Sequence, residues 1–192
     1  MDILIKDNVF DNVDEIRQQG LDRTDYEYRD QPCAPGWKGY RSWFNEDEGD
    51  IICQQIINIV GDVYDIRSCP FRRFAYHVTD IPSCVEKQPL FHDFKWHNDG
   101  NVPGSYAGIV YLHPNPPPNS GSSVLDSDKN EIIHIDNVYN RLVCWPSYSH
   151  HAVTNVFGNG IETGRMAIVF FIIPPLVVPL NPYSFGKGFS GL

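Results

Sequence analysis

The sequence predicts a mainly β (α+β) fold, a two-sheet jelly roll of the cupin type (a double-stranded β-helix) with supporting N-terminal helices. Three observations predict it. Between residues 71 and 173, short runs rich in β-branched and aromatic residues alternate with turn residues: Phe71–Val78, Leu90–Trp96, Tyr106–Leu112, Ser122–Leu125, Glu131–Ile135, Arg141–Trp145, His151–Phe157 and Arg165–Ile173. Short strands at that density fit two packed antiparallel sheets. Before them, apolar residues recur at helical spacing. The length, 192 residues, suits one compact unit that buries a core without disulfides or structural zinc.

Taken in order, Ile3–Ile5 reads as a short strand, and Asn12 or Asp14 is placed to cap a first helix that runs to Gln19 and stops at Gly20. Residues 21–45 mix Tyr26, Tyr28, Trp37, Tyr40, Trp43 and Phe44 with Pro32, Pro35, Gly36 and Gly39, without periodicity. An irregular loop pinned to a sheet by aromatic anchors is expected there, with a lid or substrate flap as the functional alternative. Arg41 in this stretch reads as solvated, or as facing a ligand if the loop is a lid. From Glu46 to Gly61, Ile51, Ile52, Ile56, Ile57 and Val60 recur at helical spacing behind an acidic first turn, predicting a supporting helix. Between the later strands, His113–Gly121 holds Pro114, Pro116, Pro117 and Pro118, which lack backbone donors, so it reads as a rigid connector. The tail beyond Pro174 is expected to wrap the surface, with a mobile end. A single domain follows: residues 1–69 as support and possible lid, 70–173 as jelly-roll core, 174–192 as tail.

Composition narrows the function. Lys and Arg number 15 against 24 Asp and Glu, a net charge of −9, and no basic run interrupts that balance. This argues against a nucleic-acid partner. Cys33, Cys53, Cys69, Cys84 and Cys144 are odd in number and never form a CxxC pair, as expected of reduced thiols rather than a disulfide framework or zinc site. The N-terminus lacks the apolar region of a signal peptide, and the longest apolar run, Met166–Val178, is broken by Pro174 and Pro175. A cytoplasmic protein with no membrane partner is expected.

The stretch that carries chemistry is Trp96-His97-Asn98-Asp99-Gly100. Separated by one residue, His97 and Asp99 point to the same side of an extended segment and can grip one metal ion together. A third ligand must come from elsewhere, and His150-His151-Ala152-Val153 offers two. Adjacent strand residues face opposite sides, so one of the two histidines reaches the metal. Two histidines and an aspartate make the set that leaves open positions on non-haem Fe(II). The isolated His77, His92, His113 and His134 read as core or surface residues.

The segments around this pair are Tyr106-Ala107-Gly108-Ile109-Val110-Tyr111-Leu112, a Gly-Ser turn with Val124-Leu125, Arg141-Leu142-Val143-Cys144-Trp145-Pro146-Ser147, His151-Ala152-Val153-Thr154-Asn155-Val156 and Arg165-Met166-Ala167-Ile168-Val169-Phe170-Phe171. Their order resembles that of the Fe(II)- and 2-oxoglutarate-dependent dioxygenases, especially the prolyl-4-hydroxylase-like branch and its uncharacterised bacterial and phage members. The resemblance covers residues 70–173 and is fragmentary before them. It implies that His97, Asp99 and His151 are the iron ligands, because the family's distal histidine precedes a spacer and an apolar residue, as in His151-Ala152-Val153. His150 then points away. It implies that Arg165 pairs with the far carboxylate of 2-oxoglutarate, a task that suits its planar fork. Tyr111 sits where family members place a hydroxyl on the same carboxylate, the alternative being an aromatic core residue.

By the same resemblance the cofactors are Fe(II), the cosubstrate 2-oxoglutarate and O2. The reaction is then hydroxylation of a C–H bond in a protein (prolyl) or small-molecule substrate, with release of succinate and CO2. Asp99 occupies the position that the family's halogenases leave without a carboxylate. Val110, Leu142 and Ile168 are candidates for a dry wall, the alternative being ordinary sandwich core, and Trp37, Tyr40 and Trp43 would stack on proline rings if the substrate were a polypeptide. Two other readings compete: a cupin-type metalloenzyme without 2-oxoglutarate, which has no need of Arg165, and a non-catalytic ligand-binding jelly-roll protein, which has no reason to retain His97, Asp99, His151 and Arg165 together. A zinc hydrolase lacks a recognisable general base.

Overall fold

The computed structural model describes residues 3–29, 37–45, 50–67, 69–84, 96–126 and 128–175. Its elements in chain order are β1 (Leu4–Lys6), α1 (Val13–Leu21), β2 (Glu27–Arg29), β3 (Gly39–Trp43), α2 (Asp50–Gly61), β4 (Phe71–Thr79), α3 (Ile81–Cys84), β5 (Tyr106–Tyr111), β6 (Ser122–Asp126), β7 (Glu131–Ile135), β8 (Leu142–Pro146), β9 (His151–Val153) and β10 (Arg165–Ile173). They form the two sheets of a mainly β jelly roll. The larger has seven strands in the order β1-β8-β5-β10-β4-β3-β2, and the smaller has three in the order β7-β6-β9.

The core explains the strand sequences. β10 runs antiparallel to β4 along its whole length, from Arg165 opposite Thr79 to Ile173 opposite Phe71, and to β5 on its other side. Alternate residues face opposite sides. Phe74, Tyr76 and Val78 of β4, with Met166, Ile168, Phe170 and Ile172 of β10, pack against Ile16 of α1 and Ile52, Ile56 and Val60 of α2. The opposite, inner face meets the small sheet through Ala107, Ile109, Tyr111, Val143, Trp145 and Ala167, which pack with Val124 and Ile135. Both faces are covered, so the central strands read as nearly continuous apolar runs.

Gly20 lies inside α1 rather than ending it, because a Cβ there would stand 2.8 Å from the Tyr76 ring; the glycine lets helix and sheet approach closely. Tyr76 uses that approach to donate its hydroxyl to the Ile16 carbonyl at 3.0 Å. Asn12 occupies the N-cap position but makes no side-chain capping bond. Residues 21–45 are not wholly irregular: β2 and β3 extend the large sheet beyond β4, with Arg41 opposite His77 and Glu27 opposite Arg41. Backbone pairing supplies the order that side-chain alternation does not announce. The run His151–Phe157 contracts to the three residues of β9, and α3 has no counterpart in the sequence reading. Val110, Leu142 and Ile168 belong to the helix-side core, so the apolar inner wall is built instead by their neighbours Ile109, Val143 and Ala167. Residues 90–95 of the Leu90–Trp96 run, residues 30–36 of the aromatic stretch, and the tail from 176 lie outside the described residues. No described helix is long and apolar enough to cross a membrane.

Candidate metal centre

His97 and His151 are joined by the backbone before their side chains meet. Each donates its N–H to the other's carbonyl, at 3.1 and 2.8 Å, in an isolated antiparallel bridge. The Asp99 N–H donates to the Ser147 carbonyl at 2.9 Å, which fixes the next residue of the same strand end. The side chains of His97, Asp99 and His151 therefore converge, each offering a ligand atom within 4.8 Å of the other two. His151 Nε2 lies 3.3 Å and His97 Nε2 3.9 Å from the two oxygens of Asp99. His150 is exposed, as alternation requires.

The electrostatics suit a cation. A carbonyl can only accept, so the 3.0 Å contact between His151 Nδ1 and the Ser149 oxygen puts the proton on Nδ1 and leaves the Nε2 lone pair facing Asp99. Burial beneath Trp145, whose ring centroid is 4.8 Å away, lowers the His151 pKa, and nearby His97 pushes the same way against the carboxylate of Asp99. A neutral imidazole oriented by a carbonyl is the usual form of a metal-ligating histidine. His97 is the most exposed of the three, with half of its side chain open.

Arg165 stands on the inner face of the large sheet, with Ala167, and is 1 % exposed. Its Nε donates to the Ser120 carbonyl at 2.9 Å, and its Nη2 to the Gly121 carbonyl and the Ser122 hydroxyl, both at 3.3 Å. The proline-rich connector thus ends by delivering two carbonyls that orient the guanidinium. Tyr111, fully buried, lies under Arg165 at 5.1 Å and donates its hydroxyl to Ser122 at 2.9 Å. Thr79 is opposite Arg165 in the ladder, and its buried hydroxyl has no hydrogen-bond partner among the described residues; the same holds for the indole nitrogen of Trp145 beside His151. An orphaned buried hydroxyl opposite a buried guanidinium is what a polar, anionic guest would satisfy.

The structure brings His97, Asp99 and His151 together as one group, and Arg165, Tyr111 and Ser122 as another. It adds Ser122, Thr79, Trp145, His77 and Arg41 to those singled out for the site. His77 is not an ordinary core histidine: burial, with Arg41 and Arg165 nearby, holds its pKa well below the usual value. Arg41 is not solvated but 7 % exposed, with its Nε donating to His77 Nδ1 at 3.4 Å. One sequence signal pointed at this pair, the Trp–Arg–Trp spacing of Trp37, Arg41 and Trp43, and it is weak without a known strand register.

No protein-family model and no curated protein matches the sequence. Solved structures do match the fold. A prolyl-4-hydroxylase from Pseudomonas putida superimposes with a TM-score of 0.63 at 11 % identity, over 90 % of this chain and 92 % of that one. A Trichoplax adhaerens prolyl hydroxylase, in complex with a peptide fragment of the hypoxia inducible factor oxygen degradation domain, gives 0.59 at 16 % identity, over 90 % and 83 %. HygX from Streptomyces hygroscopicus, with nickel and 2-oxoglutarate bound, gives 0.55 at 12 % identity, over 91 % and 83 %. The chain has the prolyl-4-hydroxylase-like fold of the 2-oxoglutarate-dependent oxygenases.

Proposed function

We propose that the protein is an Fe(II)- and 2-oxoglutarate-dependent oxygenase that hydroxylates a C–H bond of its substrate, with His97, Asp99 and His151 holding the iron. The observation that carries this reading is the convergence of those three ligand atoms, in a fold that also buries an arginine on the inner face of its large sheet. The donor set fits Fe(II): two imidazoles and one carboxylate, with the other coordination positions left to small ligands. Bound together, iron, 2-oxoglutarate and O2 supply the oxidising chemistry, yielding succinate, CO2 and a hydroxylated carbon.

The chain's own residues bind, orient and shield. Arg165, preset by the Ser120 and Gly121 carbonyls, would take the far carboxylate of 2-oxoglutarate by charge, helped by the Thr79 hydroxyl and by that of Tyr111 once it turns from Ser122. Ser122, bonded to both Tyr111 and Arg165, would keep the two aligned. Ile109, Val143 and Ala167 keep the inner face dry. The odd number of cysteines and the lack of a CxxC pair in the sequence support a reducing, cytoplasmic setting.

The test is an anaerobic titration of the metal-free protein with Fe(II), then 2-oxoglutarate, following the visible charge-transfer absorption of the chelate. A band that needs both additions and is lost in His97→Ala supports the reading. Iron binding without a band would favour a cosubstrate-free cupin enzyme, and no metal binding a non-catalytic jelly roll.

A further inference from the structure

The inner face of β2, β3 and β4 carries a series of contacts that the metal centre does not account for. Arg29 lies over Trp37 at 4.5 Å, Arg41 over Trp37 at 4.7 Å and over Trp43 at 5.3 Å, and Arg73 over Trp43 at 4.6 Å. Three guanidinium groups and two indoles alternate along this series in a chain whose net charge is −9. Arg29 has an acidic partner, Glu27 at 3.5 Å. Arg41 and Arg73 form no ion pair among the described residues. For Arg41 that is costly, because it is 7 % exposed and its Nη1 and Nη2 donate to no described residue.

We propose that Arg41 anchors an oxyanion group of the substrate, a carboxylate, sulfate or phosphate, beside the metal centre; the identity of the reaction rests on the oxygenase reading above. The position fits. Arg41 belongs to the cross-strand row Arg41–His77–Ala167–Tyr111 on the inner face, and it feels the charge of Asp99. The small sheet packs over β5, β8 and β10 and leaves β2–β4 out of that packed cluster. The chemistry fits as well. A guanidinium stacked by its face on an indole keeps its N–H edge for in-plane donation, which is the geometry of bidentate oxyanion binding. His77, held neutral, accepts from Nε and adds no competing charge. Burial and the like charges of Arg29 and Arg73 oppose the positive charge of Arg41, and an arriving anion relieves both. The same contacts weigh against proline stacking on Trp37 and Trp43, since each indole already carries two guanidinium groups. Tyr40 packs with Tyr26 and Tyr28 on the helix side.

The test uses the full chain with Fe(II) and 2-oxoglutarate bound anaerobically, so that the Arg165 site is filled, and three probes: benzoate, phenyl phosphate and neutral benzamide. Indole fluorescence and the thermal midpoint are read against probe concentration. Saturable binding of benzoate or phenyl phosphate, at least about tenfold tighter than benzamide, is expected, and the tighter of the two identifies the oxyanion. Arg41→Met should lose about tenfold in that affinity, Arg41→Lys less, and Arg73→Gln a smaller factor without entering the core. Affinity for 2-oxoglutarate, read from the absorption band, should not change in these variants. Equal binding of benzamide, undiminished anion binding in both Arg41 variants, or a parallel loss of 2-oxoglutarate affinity would each overturn the proposal. A missing absorption band alongside Arg41-dependent anion binding would reject the oxygenase reading and leave the anion site standing.

Discussion

One peptide bond separates His150 from His151, and it turns the two side chains to opposite sides of the chain: His150 is exposed, His151 is buried against Trp145 and Asp99. His151→Ala is therefore expected to weaken Fe(II) binding by about a hundredfold or more, and His150→Ala hardly at all. Anaerobic Fe(II) titration of the two variants checks this, and the reverse order would exchange their roles. Arg165→Ala removes the charge-assisted hydrogen bonding proposed for 2-oxoglutarate; one such bond is worth about 1.5–3 kcal/mol, so its cosubstrate affinity should fall by at least about tenfold to a hundredfold. Fe(II) should still bind in that variant; unchanged 2-oxoglutarate affinity would assign the arginine to the connector alone. At this scale the sequence was legible where the signal was local. His97 and Asp99 share a face because they are two apart, whatever the rest of the fold does. Arg41, His77, Thr79 and Ser122 meet only through strand register, which leaves no mark on spacing.

The elements divide the same way. β4, β5 and β10 were readable from their dense β-branched and aromatic runs, but which alternate set faced the site was not, because burial on both faces removes the polar half of the pattern. That is why the runs offer Val110, Leu142 and Ile168 equally as dry wall or as sandwich core, and only the packing places them in the helix-side core. β3 was hidden among glycines, prolines and aromatics, and its place depends on a glycine. Gly39 has φ +95°, and a Cβ there would stand 2.1 Å from the Val78 carbonyl oxygen. Gly39→Ala should lift the start of β3 from β4 and cost about 1–3 kcal/mol, with Arg41 losing its contact with His77. Chemical denaturation gives the energy, and a weakened response to the anionic probe follows if β3 is what holds the guanidinium. A midpoint and probe response equal to those of the unsubstituted protein would show that the edge of the sheet tolerates the change.

Across the whole molecule, the inner face gathers groups whose charge state is set by the fold. His77 and His151 are both held below the ordinary histidine pKa, chiefly by burial, and partly buried His113 is shifted in the same direction. A histidine kept neutral in the folded state, but free to protonate when unfolded, favours unfolding as the pH drops below 6.5. Its contribution is whole above that pH and is lost progressively until the folded-state pKa is reached. The carboxylates Asp7 and Asp25 do not act in this window: Arg141 and Arg23 hold their pKa values below 3.8, so their stabilisation is lost only in stronger acid. Stability of the metal-free protein should therefore fall between pH 6.5 and 5.5, by about 1 kcal/mol for His77 alone, well before the carboxylates protonate. Urea unfolding at pH 7.5, 6.5 and 5.5 measures the loss, and His77→Gln should flatten the profile by that amount while lowering stability at pH 7.5 through the missing Arg41 contact. An identical slope in His77→Gln would mean that the buried imidazole protonates in place, and that the arginines on either side do not repel it as their positions require.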